Sequence, residues 1–534
     1  MVTEPEAIQQ ALGWMEPKEE DDKMRHRLVT LVKQAFPVDT WRGRALRYLL
    51  GRNPALRRYE AFAITIEPTL WQPPIDAATA DPLFSVVVPM FNTPDSYLRP
   101  LLDSLINQAF PRFEVILADA STDDTRAAAI GHAAQQDPRL KYLRLPQNSG
   151  ISANTNAGLA VAKAPYVAFV DHDDVLAPQA LNEMAARLLA EPETDILYSD
   201  EDALSEDGLK RLRPAFKPIW SPHLFLMCNY TNHLSVIRRE LIAEVGGLRP
   251  EFDGAQDYDL LLRLHTLGRS LKVAHVPGVL YHWRQAKDST ARAVRAKHYA
   301  IEAGRNALEE YLQRVGLKDA QVSDLPIQPS WHRIKVPWQA KVAVVCTGSA
   351  ARYIDDLQQA TRTTVCHPVW LAQPDGIDVT ALPAGIEVVT LISWPYQPTE
   401  PGWLDDLVGV LALPEATVVA PLLCGPDGTV DSAGFVQDAL GITPILRGYP
   451  SNGGNLAGLA GVVRDVDAVS PAVLVVKRED LDLVASPTDG LVVVPPGRGH
   501  AVVWGFQCMT RGQLLEWDGY ISRYIGLGSM GWEA

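Results

Sequence analysis

The chain has 534 residues, more than a single hydrophobic core serves, so several domains are expected. Hydrophobic residues make up 47% and charged residues 21%, as in an ordinary globular protein, and the net charge of −15 argues against nucleic acid or anionic lipid as a general partner. The start MVTEPEAIQQ lacks an apolar stretch, no run approaches about 18 apolar residues, and Cys228, Cys346, Cys366, Cys424 and Cys508 are scattered without a CxxC pair, so a reduced, cytosolic protein is expected.

Residues 1–80 read as a helical N-terminal extension, rich in Arg, Leu and Ala, that passes into a Pro-rich linker (Pro68, Pro73, Pro74). Its basic cluster, Arg42, Arg44, Arg47, Arg52, Arg57 and Arg58, reads first as a solvated helix face and second as a peripheral contact with the inner face of the cytoplasmic membrane. From 81 to 320, strand and helix alternate. FSVVV (84–88), stopped by Pro89, suits a buried parallel strand. Leu98, Leu101, Leu102, Leu105 and Ile106 then recur at helical spacing. FEVILAD (113–119), YVAFVD (166–171) and DILYSD (195–200) are further strands, with an Ala-rich helix after the first of them and a helix opened by Pro178 between the other two. This alternation predicts an α/β fold with a mostly parallel sheet, whose ligands sit at the carboxyl ends of strands. Residues 321–339 read as an irregular linker, and KVAVVCTG (341–348) opens a second α/β domain at 340–534.

The polar residues that follow each strand carry the chemistry. Asp171-His172-Asp173-Asp174 follows YVAFV directly; alternate acids at a strand tip suit a hard divalent cation on a diphosphate, Mg²⁺ or Mn²⁺. A solvated acidic turn is the plainer reading. Asp119 ends the preceding strand, where it could accept from a base imide, or a helix N-cap could be formed there by Ser121, Thr122 or Asp123. Gln147 to Asn156, including Asn148, is a polar turn before a short helix. Asp257, in GAQDYDLLLRL, stands at a helix start, able to act as general base or simply to complement the helix dipole. His282, in YHWR, is a metal-ligand candidate only because it follows an acidic site.

Together and in this order these segments resemble the family 2 glycosyltransferases of the GT-A fold, over Phe84 to about Gly316. VVVPMFNTPDSYLRPLLDSLINQAFPRFEVILADASTDD resembles the nucleotide-binding half, FVDHDD the DxD motif, FDGAQDYDLLLR the base segment and YHWRQAKDST the closing motif. The resemblance implies that Pro89 and Phe91 line the nucleobase pocket, that Asp119 binds the pyrimidine, that Asn148 lies on the nucleotide side, and that Asp171 contacts the ribose or the metal. It implies Asp173 and His282 as metal ligands and Asp257 as the base of an inverting transfer. The donor would be a UDP- or dTDP-sugar and the acceptor a glycan or lipid-linked glycan, as in bacterial O-antigen or capsule synthesis. Trp220, Tyr230, Trp283 and Arg284 are assigned to the acceptor or donor side. Thr155-Asn156 stands where many relatives have Arg-Asn, so Arg284 or Lys287 is a candidate for the missing cation.

The C-terminal domain resembles a degenerate GT-A-like copy: TVVAPLLCGPDGTVDSAG (417–434) compares with 195–211, and AVSPAVLVVKREDLDLVA (468–485) with 229–246. ISWPYQPTEPG stands where a DxD is due, which predicts a non-catalytic domain. Gly526 to Gly531 fits GxGxxG but no helix can follow it. The rival functional reading is a non-catalytic glycan-binding or scaffold protein; the oligomeric state, including a homo-oligomer, stays open.

Overall fold

The computed structural model describes Tyr59 and residues 62–75, 81–285, 287–325, 328–393, 396, 398–399, 401–425, 429–438, 441–447, 464–485, 491–495 and 498–504. The basic cluster at 42–58, most of the expected helical extension, Cys508, the glycines at 526–531 and the Lys287 side chain lie outside the described residues. The chain separates into two compact units, residues 1–69 and 70–534. The described part of the first contains a π-helical turn, Phe62–Ile66. The second holds two α/β sheets.

The first sheet begins with β1 (Phe84–Met90), α1 (Asp95–Ile106), β2 (Phe113–Asp119), α2 (Asp124–Ala134), β3 (Leu140–Arg144), α3 (Ile151–Val161) and β4 (Tyr166–Phe169). β1 pairs in parallel with β2 and β4, and β3 lies outside β2. Nearly every residue of β1 and β2 is buried, which is why both read as continuous apolar runs rather than alternating ones. Gly158 lets α3 lie close over β1, since a Cβ there would stand 2.7 Å from Val87 Cγ1.

The chain continues through β5 (Val175–Leu176), α4 (Ala180–Ala190), β6 (Ile196–Leu204), β7 (Arg211–Ala215), α5 (Pro222–Phe225), β8 (Ser235–Arg238), α6 (Arg239–Glu244), α7 (Gln256–Leu264) and β9 (Val273–Arg284). β8 is antiparallel to β4 and β6, β6 and β9 are parallel, and the sheet order is β3-β2-β1-β4-β8-β6-β9-β5. Thus the sheet is mostly parallel, as expected. β9 runs on through Arg284, so the YHWR residues sit in the strand and not beyond it.

After α8 (Lys287–Arg314), the segment that reads as an irregular linker instead forms an antiparallel hairpin, β10 (Gln321–Leu325) and β11 (Gln328–Lys335). Its prolines disguise it, because a two-stranded ribbon has free edges on which a missing N–H costs nothing. The hairpin touches both sheets' surroundings: the His332 N–H donates to Met227 O at 2.7 Å, and Arg333 pairs with Asp406 at 2.8 Å.

The second sheet uses β12 (Val342–Thr347), α9 (Ile354–Ala360), β13 (Val369–Gln373), β14 (Val388–Ile392), α10 (Trp403–Leu411), β15 (Ala416–Pro421), a small hairpin β16 (Leu423–Cys424) and β17 (Val430–Ser432), then β18 (Phe435–Asp438), β19 (Gly441–Pro444), β20 (Arg464–Val466), β21 (Ala468–Val469), β22 (Val473–Lys477), α11 (Leu481–Ala485), β23 (Val492–Val493) and β24 (His500–Trp504). Its order is β13-β12-β14-β22-β15-β24-β20, with β22 antiparallel to both neighbours and β15 parallel to β24. The run β2-β1-β4-β8-β6-β9 of the first sheet has the same order, the same directions and the same succession along the chain. One apolar cluster joins the two, from Val87 and Leu261 through Tyr311 and Val336 to Val344, Leu407 and Val475.

α7 carries a buried charge network. Asp259 is 1% exposed and is held by Arg263 Nε at 3.0 Å and Arg249 Nε at 3.2 Å. Arg263 in turn donates to the carbonyls of Val245 and Gly247, each at 2.6 Å. Asp259→Ala would leave a buried guanidinium without its counter-charge, and we expect about 3 kcal/mol or more of lost stability, read by urea denaturation.

Candidate functional site

The carboxyl ends of β1 and β4 and the start of α7 converge on one cleft. Its walls include Pro89, Thr155, Asp171, Asn232, His233, Gln256 and Asp257, around roughly 630 Å³ of empty space open to solvent. Pro89, Asp171 and Asp257, spread over nearly 170 residues of sequence, line this one cleft.

Asp257 occupies the first turn of α7, and its Oδ2 accepts from the Asn229 amide at 3.2 Å and from the Asn232 amide. Burial raises its pKa above its ordinary value, with the nearby Asp171 adding to the shift and His233 opposing it. A half-buried carboxylate, aimed by amides and shifted toward neutrality, is equipped to accept a proton.

β4 ends in the acidic turn. Asp171 keeps 42% of its side chain exposed and lies 3.8 Å from His233 Nε2. Asp174 is fully buried and serves the scaffold: it accepts from the Tyr281 hydroxyl at 2.6 Å and the Arg284 N–H at 2.7 Å. Burial raises the pKa of Asp173 too, while its carbonyl accepts from Arg284 Nε at 2.7 Å. Arg284, 3% exposed, is thus used to brace the acidic turn, and it also donates to Glu206 O at 3.2 Å. His172 Nδ1 sits 3.0 Å from the Thr93 hydroxyl.

His282 is buried, and its Nδ1 faces Asp202 Oδ1 at 2.6 Å, while Asp202 Oδ2 accepts from Arg211 Nε at 2.6 Å. A carboxylate on one ring nitrogen is the usual second partner of a metal-bound imidazole, and it leaves Nε2 for a ligand. The donor types fit a divalent cation: carboxylate oxygens at Asp171 and Asp173 and an oriented imidazole at His282. Among the described residues, however, no three His, Cys, Asp or Glu side chains stand gathered closely enough to hold an ion.

At the far end of β2, Asp119 has no exposure. Its Oδ1 accepts from the Ser121 N–H at 2.9 Å, and its Oδ2 from Tyr142 at 2.9 Å and Arg144 at 3.2 Å. The helix cap there is Asp123, which accepts from Thr125 and Arg126, so Asp119 is not spent on capping. Phe91 is 39% exposed at the same end. Asn148 Oδ1 accepts from the Gly150 N–H at 3.2 Å and the Asn154 amide at 2.9 Å, shaping the turn into α3. Trp283 is 44% exposed. Trp220 stacks on His265 with ring centroids 5.0 Å apart, and the Tyr230 hydroxyl bonds Ser221, so both are engaged in an aromatic cluster with Phe225.

The residues that sequence reasoning missed are His233, Glu201, Asp202, Asn229 and Asn232. The run Asp200-Glu201-Asp202 inside a strand was the available signal, since consecutive acids in a buried strand require partners. Glu201 finds His233 Nδ1 at 3.1 Å and Lys217 at 3.6 Å. Burial opposes both charges, yet Lys217 and His233 bring Glu201 down to about 2, and Glu201, Asp171 and Asp174 push His233 up to about 9.

The profile described as glycosyl transferase family 2 matches residues 85–246. The succinoglycan biosynthesis protein ExoO of Rhizobium meliloti is 30% identical over 253 residues, 44% of this chain and 70% of that protein. The O-antigen biosynthesis protein RfbC of Myxococcus xanthus is 32% identical over 454 residues, 76% of this chain and 35% of its own length. An uncharacterized protein, y4gI, of Sinorhizobium fredii is 31% identical over 77% of this chain and 50% of that protein. The chain thus spans half or less of those two longer relatives. Among the described residues no helix is long and apolar enough to cross a membrane.

The His233–Glu201 pair has a definite pH signature. A histidine raised to about 9 contributes stability fully below its unfolded pKa of about 6.5 and loses it as pH rises toward 9. The stability gap between the wild type and Glu201→Gln should therefore be wider at pH 6 than at pH 9.5 in thermal denaturation; a gap that does not change would contradict the pairing.

Proposed function

The chain belongs to glycosyl transferase family 2, a glycosyltransferase family of GT-A fold, and on that premise we propose that it is an inverting enzyme acting on a UDP- or dTDP-sugar. The acceptor is the hydroxyl of a glycan or lipid-linked glycan in bacterial surface polysaccharide synthesis. The observation that carries this reading is Asp257, half-buried at a helix start, aimed by two amides and facing the same cleft as Pro89 and Asp171.

In the proposed step, Asp257 takes the proton of the acceptor hydroxyl as its oxygen forms a bond to the anomeric carbon. The bond from that carbon to the diphosphate oxygen breaks, and the nucleoside diphosphate leaves with the electron pair. A single displacement inverts the anomeric centre, and no paired nucleophile is needed. Pro89, Phe91, Asp119 and Asn148 belong to the nucleotide side, with Arg144 on Asp119 as an accessible cation there. Asp171, Asp173 and His282 would hold Mn²⁺ or Mg²⁺, which would offset charge on the departing diphosphate. Trp283, with its exposed ring, is the acceptor-side candidate, whereas Arg284, Trp220 and Tyr230 act through the residues they hold in place.

We further propose that the domain at 340–534 is a non-catalytic copy of the first. The shared strand order supports this, as does the text after β14: Ser393-Trp394-Pro395-Tyr396-Gln397 offers no carboxylate where Asp171 and Asp173 follow β4.

Asp257→Asn should reduce kcat by roughly 10²–10⁴ while UDP still binds. Because burial raises Asp257, the acid limb of the wild-type rate profile should lie above the free carboxylate's value of about 4. An Asp257→Asn enzyme with wild-type kcat would refute the base assignment. Calorimetry of UDP and dTDP, with and without Mn²⁺, on wild type and Asp173→Ala tests the donor site. Binding that needs both the ion and Asp173 is the expected result, and no binding under any condition would overturn the reading. Asp202→Asn, which disorients His282 without touching the nucleotide, should weaken the Mn²⁺ response about 10–100-fold.

A further inference from the structure

A buried carboxylate of the second sheet reaches into the first. Asp465, on β20, has a side chain only 8% exposed, and its carboxylate serves residues more than 240 positions earlier in the chain. Its Oδ2 accepts from the Ser221 hydroxyl at 2.6 Å and from the His223 N–H at 3.0 Å, and its Oδ1 faces His223 Nδ1 at 2.6 Å. The Asp465 N–H also donates to Ser221 Oγ at 3.1 Å. Burial would raise this carboxyl, but His223, His500 and Ser221 outweigh it and hold the pKa below its ordinary value.

The turn gripped in this way opens the segment that ends at the catalytic cleft. Ser221 precedes α5, and its N–H donates to the Tyr230 hydroxyl at 2.8 Å, which closes the segment into a loop. At the loop's other end, the Thr231 hydroxyl donates to Asn229 Oδ1 at 2.8 Å, and the Asn229 amide donates to Asn232 Oδ1 at 3.1 Å. Those same two amides hold Asp257. Hydrogen bonds from the C-terminal domain thus reach the Tyr230 hydroxyl, and the backbone at Tyr230 carries the link on to Asn229 and Asn232, which bond the side chain read as the base.

We propose that Asp465 is a positioning residue for the transfer reaction: by fixing Ser221 and His223 it keeps Asn229 and Asn232 in the register that aims Asp257 into the cleft. This assigns the C-terminal domain a part in catalysis that needs no active site of its own, and it rests on Asp257 being the base. A displacement of about 1 Å at a reacting group can cost on the order of 10²-fold in rate, so a loosened loop registers in kcat while the nucleotide side, built on β1 and β2, is untouched.

The test uses the full chain and two readouts. Hydrogen exchange of peptides covering 221–233 and 253–258 should quicken in Asp465→Ala relative to wild type. With a donor found among UDP- and dTDP-sugars, kcat should fall about 10–100-fold while the donor KM and UDP affinity stay within about twofold. Asp465→Asn, which keeps an oxygen for Ser221 and His223, should recover most of the rate. In an Asn229→Ala background, Asp465→Ala should cost little more, because both act on the same path. If Asp465→Ala does not fold, Ser221→Ala carries the test with a smaller fall in the same direction. Unchanged exchange at 253–258, or unchanged kcat, in a variant for which Asp257→Asn is inactive would overturn the positioning role alone; an active Asp257→Asn would instead overturn the base assignment beneath it.

Discussion

A carboxylate removed from water must find a donor or a counter-charge, and the architecture of this chain follows from how it meets that demand. Asp119, Asp174, Asp200, Asp202 and Asp259 are each exposed by no more than 1%. Left unpaired, any of them would cost several kcal/mol. Each instead ties distant segments together: Asp119 joins β2 to β3 through Tyr142 and Arg144, Asp174 joins the acidic turn to β9, and Asp200 holds the Lys217 N–H at 2.8 Å and the Gly278 N–H at 2.9 Å. These fasteners hold the strands and turns behind the cleft, so the acids that stay near solvent, Asp171 and Asp173, are presented from a braced frame. That rigidity has a chemical use, because groups that act on a developing charge work best when they need not reorganise.

The frame also separates roles among neighbours in sequence. Asp171, Asp173 and Asp174 belong to one short turn, yet Asp174 turns inward to Tyr281 and Arg284 while Asp171 faces the cleft. On β6, successive acids alternate between faces: Asp202 meets His282 and Glu201 meets His233. The pleat of the strand does this sorting, since side chains two apart share a face. It places an oriented imidazole beside the acidic turn and a second, positively charged imidazole between Asp171 and Glu201.

The two sheets are built on one plan and share an apolar core, with the β10–β11 hairpin lodged against both. Such a continuous interface resists hinge motion of the kind expected between domains joined by a flexible linker. The C-terminal domain is therefore better regarded as part of the scaffold of the site, and the contact of Asp465 with the Ser221–His223 turn gives that scaffold a specific point of action.

Local chemistry is legible in the amino-acid sequence by itself. Apolar runs such as FSVVV and FEVILAD mark buried parallel strands, and the position of Asp171 and Asp257 at the end of a strand or the start of a helix points to the cleft. These follow from periodicity and from the direction of parallel strands, which act over a few residues. Only the tertiary structure decides which acid is a fastener and which is free, that Asp202 orients His282, that Asn229 and Asn232 hold Asp257, and that Asp465 reaches Ser221 and His223. It also decides that 321–335 forms a hairpin despite its prolines. In each case the partners lie far apart in the chain or meet only across a pleat, and burial, which sets the need for a partner, is a property of the folded core and not of any local run of residues.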